Sequence, residues 1–98
     1  HHGGAGTTHT ACLAGKPSVI VPFLGDQFFW AERLRSLGIA KAPVPRRSLT
    51  AAKLAKAIRA LLADPRAFER ARAIGRAMAE EEGVSRAVGW IEEVRRGR

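Results

Sequence analysis

Cysteine, acidic side chains and long apolar runs are the scarce features of this chain. Cys12 is the one cysteine in 98 residues. No disulfide framework is available within the chain, and nothing argues for an oxidising compartment. The longest apolar run extends from Val19 to Leu24, far short of the roughly 20 residues that a membrane-spanning helix needs. Acids are outnumbered: 9 Asp and Glu stand against 17 Lys and Arg, for a formal net charge of +8. The imbalance lies mostly after Ala40, where 14 basic residues face 7 acidic ones, against 3 and 2 up to that point. A basic face attracts nucleic acid or anionic lipid. Here, however, the arginines interleave with Glu69, Glu80, Glu81, Glu82, Glu92 and Glu93, as solvated helix faces do. No aromatic residues alternate with the basic ones to form a base-stacking platform, so no nucleic-acid partner is expected.

What is present is an ordinary globular mix, 46% hydrophobic and 27% charged, which excludes disordered and fibrous classes. A chain of this length is one domain or part of one, with a modest core. His1 opens directly into a glycine cluster with no strand before it. The N-terminus is therefore expected to be a cut edge, and the lack of a leader pattern carries no weight.

The segment HHGGAGTT, from His1 to Thr8, reads as a glycine-rich turn entering a helix over about Ala5 to Ala14, with Gly15 near its C-terminal cap. After Pro17, the β-branched run Val19, Ile20 and Val21 lacks alternation, which suits a parallel strand buried on both faces. Pro22 ends it, and Leu24, Gly25 and Asp26 form a loop. A second helix reads from about Gln27 to Leu37, capped by Gly38, and Ile39 and Ala40 start a short strand. Pro43 and Pro45 mark Lys41 to Ser48 as an extended linker. Thr50 is a candidate N-cap for a helix whose Leu54, Ile58, Leu61 and Leu62 share a face. Asp64-Pro65 is a cap followed by proline at the first helical position. The next helix presents Phe68, Ala71, Gly75 and Met78, Gly83 breaks it, and a last helix carries Val84, Val88 and Ile91 with Trp90 beside them. This order is the tail of an alternating α/β domain.

Two segments carry chemistry. In HHGGAGTT, a helix N-terminus offers unpaired N–H groups and partial positive charge to an anion. Gly3, Gly4 and Gly6 let a bulky anion approach the backbone. Thr7 and Thr8 add hydroxyls, and His2 can donate to a phosphate oxygen. A metal set from His1, His2 and His9 lacks any cysteine or second acidic ligand at suitable spacing. In PFLGDQFFW, Asp26 and Gln27 follow a strand end, where open α/β sheets bind ligands. A carboxylate beside an amide can accept from and donate to vicinal sugar hydroxyls; alternatively, Asp26 caps the following helix. Phe28, Phe29 and Trp30 fit core roles.

Taken together, residues 1 to 38 resemble the C-terminal signature of nucleotide-sugar glycosyltransferases of the two-Rossmann-domain (GT-B) type. The relatives in view glucosylate sterols and other lipophilic aglycones or act in antibiotic pathways. The tail, LTAAKLAKAIRALLADP and then EEEGVSRAV, is similar to that family's closing helices. The resemblance implies an α/β fold: the C-terminal part of a Rossmann-like GT-B domain, with an incomplete parallel sheet followed by helices. It implies that residues 1–98 are the C-terminal portion of the nucleotide-sugar-binding domain. His2, Gly4, Gly6 and Thr7 would hold the donor diphosphate, and Asp26 and Gln27 the transferred sugar. Plant relatives carry a glutamate for the ribose hydroxyls where this chain has Thr10, which leaves the nucleoside base open. The expected donor is a UDP- or dTDP-sugar, UDP-glucose first. The expected acceptor is a lipophilic hydroxyl compound. No cofactor or metal is expected. The general base and acceptor pocket are expected in an N-terminal domain outside the chain, without which the chain is inactive. A non-catalytic nucleotide-binding module of the same fold is the alternative. The implied location is the cytoplasm, with membrane association through the acceptor.

Overall fold

The computed structural model describes residues 1–81 and 83–97. Five α-helices account for its regular structure: α1 Ala5–Leu13, α2 Asp26–Ser36, α3 Ala51–Leu62, α4 Pro65–Glu80 and α5 Gly83–Arg95, with a 3₁₀ turn at Arg46–Ser48. The helix boundaries follow their capping chemistry. Leu13 and Ser36 end α1 and α2, and Gly15 and Gly38 follow with φ of 70° and 78°. The Thr50 hydroxyl accepts the Lys53 N–H at 3.1 Å and starts α3. The Asp64 carboxylate accepts the Arg66 N–H at 3.1 Å and the Ala67 N–H at 3.4 Å, and Pro65 follows as the first residue of α4. Lys41 pairs with Asp64, and that hydrogen bond holds the Asp64 carboxyl below its usual range.

The expected α/β architecture is not what the chain adopts. Among the described residues there is no sheet. One isolated parallel bridge joins Ser18 to Ala40. The segments expected to be strands are extended but make only scattered backbone bonds: Ser18 N–H to Ile39 C=O at 2.9 Å and Val44 N–H to Ile20 C=O at 3.0 Å on one side, and His1 N–H to Val19 C=O at 2.9 Å and Val21 N–H to His1 C=O at 2.8 Å on the other. Proline explains the failure to build a ladder. Pro17 and Pro22 bracket one segment, and Pro43 and Pro45 follow the other. None of them has an N–H to donate, and Val44, between two of them, supplies the bond to Ile20. Nor is the Val19–Val21 run buried on both faces. Ile20 is 2% exposed, whereas Val19 and Val21 are half-buried.

The core forms where α1, α2 and α4 meet these extended segments. Cys12, Ile20, Ala31, Leu34, Ile39, Ala40 and Ala71 are buried together, with Leu37, Ile74 and Met78 packed against them. Burying a side chain such as Ile20, Leu34 or Ile39 is worth about 1.5–3 kcal/mol. Burial also raises the Cys12 pKa, keeping the thiol protonated. The α4 helix lies directly on the end of α1. A Cβ on Gly75 would stand 2.8 Å from the Gly15 Cα and 2.9 Å from its nitrogen. Small residues at Ala67, Ala71 and Gly75, all buried, permit this approach.

Candidate functional site

The turn into α1 is held by its own histidines. The Gly4 N–H donates to His2 Nδ1 at 2.7 Å. Nδ1 is then the acceptor, so the ring proton of a neutral His2 sits on Nε2, which has no partner among the described residues. The imidazole lies over Gly4, and a Cβ there would overlap the ring. A side chain at Gly4 would therefore displace the His2 ring from this position. A Cβ at Gly6 meets nothing within 4 Å, so the space beside that position is open.

The N-cap residue Gly4 has no side chain, and the first intrahelical bond is Thr8 N–H to Gly4 C=O at 2.9 Å. The N–H groups of Ala5, Gly6 and Thr7 therefore have no intrahelical acceptor, and all three residues are exposed. The two threonines differ. Thr7 faces solvent, whereas Thr8 is 4% exposed and its hydroxyl has no hydrogen-bond partner. The Thr10 hydroxyl donates to the Gly6 C=O at 3.0 Å, so its proton is already committed.

The second segment forms a tight loop into α2. Gly25 occupies the N-cap with φ 61°, no side chain caps the helix, and Asp26 is its first residue. The capping role considered for Asp26 is therefore absent. Its carboxylate is exposed and has no hydrogen bond or ion pair among the described residues. Gln27 is used differently at its two ends. Its Oε1 accepts the Phe23 N–H at 2.7 Å and the Leu24 N–H at 3.2 Å, which closes the loop. The Nε2 group keeps its two donors. Asp26 thus keeps a free acceptor and Gln27 a free donor group.

Gly3 brings the segments together. Its φ is 89°, and a Cβ there would stand 3.0 Å from the Gln27 carbonyl oxygen and 3.0 Å from the Ile20 Cγ2. Only glycine fits this buried position. The turn into α1 therefore lies against the first turn of α2, backbone to backbone at Gly3 and Gln27. Phe28 and Phe29, expected in the core, are 50% and 61% exposed. Arg46 stacks over the Phe23 ring at 4.6 Å, beside the Gln27 loop. No group of acidic, histidine or cysteine side chains suited to a metal is present among the described residues. No helix there is long and apolar enough to cross a membrane.

Comparison with known proteins gives a consistent family. Residues 1–93 match the family described as erythromycin biosynthesis protein CIII-like, C-terminal domain. The chain is 47% identical over 93 residues to an O-mycaminosyltylonolide 6-deoxyallosyltransferase of Streptomyces fradiae; the match covers 95% of this chain and 22% of that protein. It is 43% identical over 91 residues to a sterol 3-beta-glucosyltransferase of Kluyveromyces lactis, covering 93% of this chain and 7% of that one. The crystal structure of the glycotransferase of kitacinnamycin superposes with a TM-score of 0.83 at 33% identity, over 94% of this chain and 24% of that one. The chain thus spans a quarter or less of each of these proteins.

Proposed function

This chain belongs to the erythromycin biosynthesis protein CIII-like C-terminal domain family, the C-terminal region of a GT-B glycosyltransferase family, and on that premise we propose that it holds the diphosphate and sugar of a nucleotide-sugar donor. His2, Gly4, Gly6 and Thr7 bind the diphosphate, and Asp26 and Gln27 bind the sugar. The observation that carries this reading is the close approach of Gly3 to the Gln27 backbone, which sets the open N-terminus of α1 beside the turn of α2 that bears Asp26 and Gln27. The donor is a UDP- or dTDP-sugar, UDP-glucose first. The acceptor is a hydroxyl of a lipophilic compound, and such an acceptor would draw the enzyme to membranes.

In the transfer, positive charge builds on the sugar and negative charge on the departing diphosphate. The N–H groups of Ala5, Gly6 and Thr7, together with His2 Nε2–H, meet the negative charge where it develops. All the residues named here are assigned to the donor, and on this reading the general base for the acceptor proton comes from a part of the enzyme outside this chain.

The reading is tested by titrating the nucleotide sugar and the bare nucleoside diphosphate into full-length wild type and Asp26→Ala by calorimetry. A lost sugar hydrogen bond costs roughly 1–3 kcal/mol. That loss is expected for the nucleotide sugar alone, with the diphosphate almost unaffected. Equal losses for both ligands, or none for either, would remove the sugar assignment, and the alternative of a plain nucleotide-binding module would stand.

A further inference from the structure

The two histidines that open the chain are not equivalent. His2 keeps one ring nitrogen free, whereas His1 uses both. His1 Nδ1 accepts the Gly3 N–H at 3.0 Å, and its Nε2 lies 3.0 Å from Ser18 Oγ. Because the Gly3 amide can only donate, Nδ1 carries a lone pair. The ring proton then sits on Nε2 and points at the Ser18 oxygen. Ser18 is 6% exposed. It and Thr8 are the buried polar side chains among the described residues, and Ser18 is the one with a partner.

The His1 main chain is fixed as well. Its nitrogen donates to the Val19 C=O at 2.9 Å, and its carbonyl accepts the Val21 N–H at 2.8 Å. Beyond it, Gly3 is wedged against Gln27 and Ile20 with no room for a Cβ, and Gly4 N–H orients the His2 ring. A path of hydrogen bonds and backbone therefore leads from a buried serine, through His1 and the glycine turn, to the His2 imidazole.

We propose that His1 and Ser18 form a positioning couple. The Ser18 hydroxyl holds the His1 ring in the Nε2–H tautomer, and His1 Nδ1 holds the Gly3 amide. The turn so fixed aims His2 Nε2–H and the N–H groups of α1 at the diphosphate. Neither member touches the donor. The inference rests on the donor-site reading above and adds to it the residues that set its geometry. A purely structural role for Ser18 would change stability and leave the affinity of the folded protein alone.

The experiment uses the full-length protein with Ser18→Ala, His1→Asn and the double variant. Asparagine keeps an acceptor near the Nδ1 position but is too short to meet Ser18. UDP and dTDP are titrated into each variant, and the tighter ligand is followed. Each single change is expected to weaken that ligand about five-fold, the size of one net hydrogen bond, and the double variant no more than the stronger single. Nitrogen-15 spectra are expected to show the Nε2–H tautomer of His1 in wild type and a mixture in Ser18→Ala, with faster exchange of the Gly3 amide. His1→Asn changes an exposed residue and gives the affinity answer even where Ser18→Ala fails to fold. Additive losses, or an unchanged affinity in His1→Asn, would overturn the couple, as would an unaltered Gly3 amide in Ser18→Ala. Failure of wild type to bind either nucleotide would instead sink the donor-site reading, with the spectra still judging the couple.

Discussion

At the scale of single residues, His2 makes the sharpest demand on the proposed chemistry. Its Nδ1 is occupied by the Gly4 N–H, so Nε2–H is the group left for a ligand. A hydrogen bond to a departing diphosphate strengthens as negative charge develops there. His2→Ala in the full-length enzyme should therefore cost about 2–4 kcal/mol of transition-state energy, read as lost turnover more than raised KM. Near-wild-type turnover would reduce His2 to a device for shaping the turn. The glycine turn and the start of α1 are legible in the sequence because a turn into a helix is a local affair. The division of labour at Gln27 is not, since its oxygen is taken by the Phe23 and Leu24 amides and residue type alone does not say which end is free. Ser18 is illegible for a stronger reason. Its partner is 17 residues away, and a serine after a proline carries no mark of that contact.

At the scale of elements, the helix ends were written in the chain, and the sheet was not. Gly15, Gly38, Thr50 and Asp64-Pro65 each mark a boundary that the structure keeps, because capping is decided within a turn of helix. The run Val19 to Val21 suggests a strand by composition, but pairing is a property of two segments. The prolines around both candidates remove the donors that pairing needs. The packing of α4 on α1 gives a test at this scale. In a free helix, Gly75→Ala would gain up to about 1 kcal/mol from propensity. Here the new methyl meets backbone atoms of Gly15 and Cys12, at 2.8 Å for the nearest, and backbone cannot rotate away. Overpacking of that kind costs about 1–3 kcal/mol, so the sign reverses and the variant should unfold at lower urea. A variant as stable as wild type would mean that α4 stands off α1 in solution.

At the scale of the whole molecule, the chain is long for its mass. Its radius of gyration is 16.9 Å, with extents of 60 × 29 × 18 Å, whereas a compact domain of this length has about 13 Å. Apolar faces are left without a partner along that length. No residue of α5 is buried, although Val84, Val88, Trp90, Ile91 and Val94 all project from it. On α3, Ile58 and Leu62 are exposed, and they border a groove of about 430 Å³ with Leu54, Phe68 and Val19. Contiguous apolar surface of this kind drives association. The isolated 98-residue chain is therefore expected to self-associate as its concentration rises, which sedimentation velocity would detect. Placing glutamate at Val88 and Ile91 sets two charges on the α5 stripe and removes no core contact, so it should shift the distribution toward monomer with the helical content kept. A wild-type chain that stays monomeric and melts in one sharp cooperative step would show that these faces fold back on the core, and α5 would then lie elsewhere in solution.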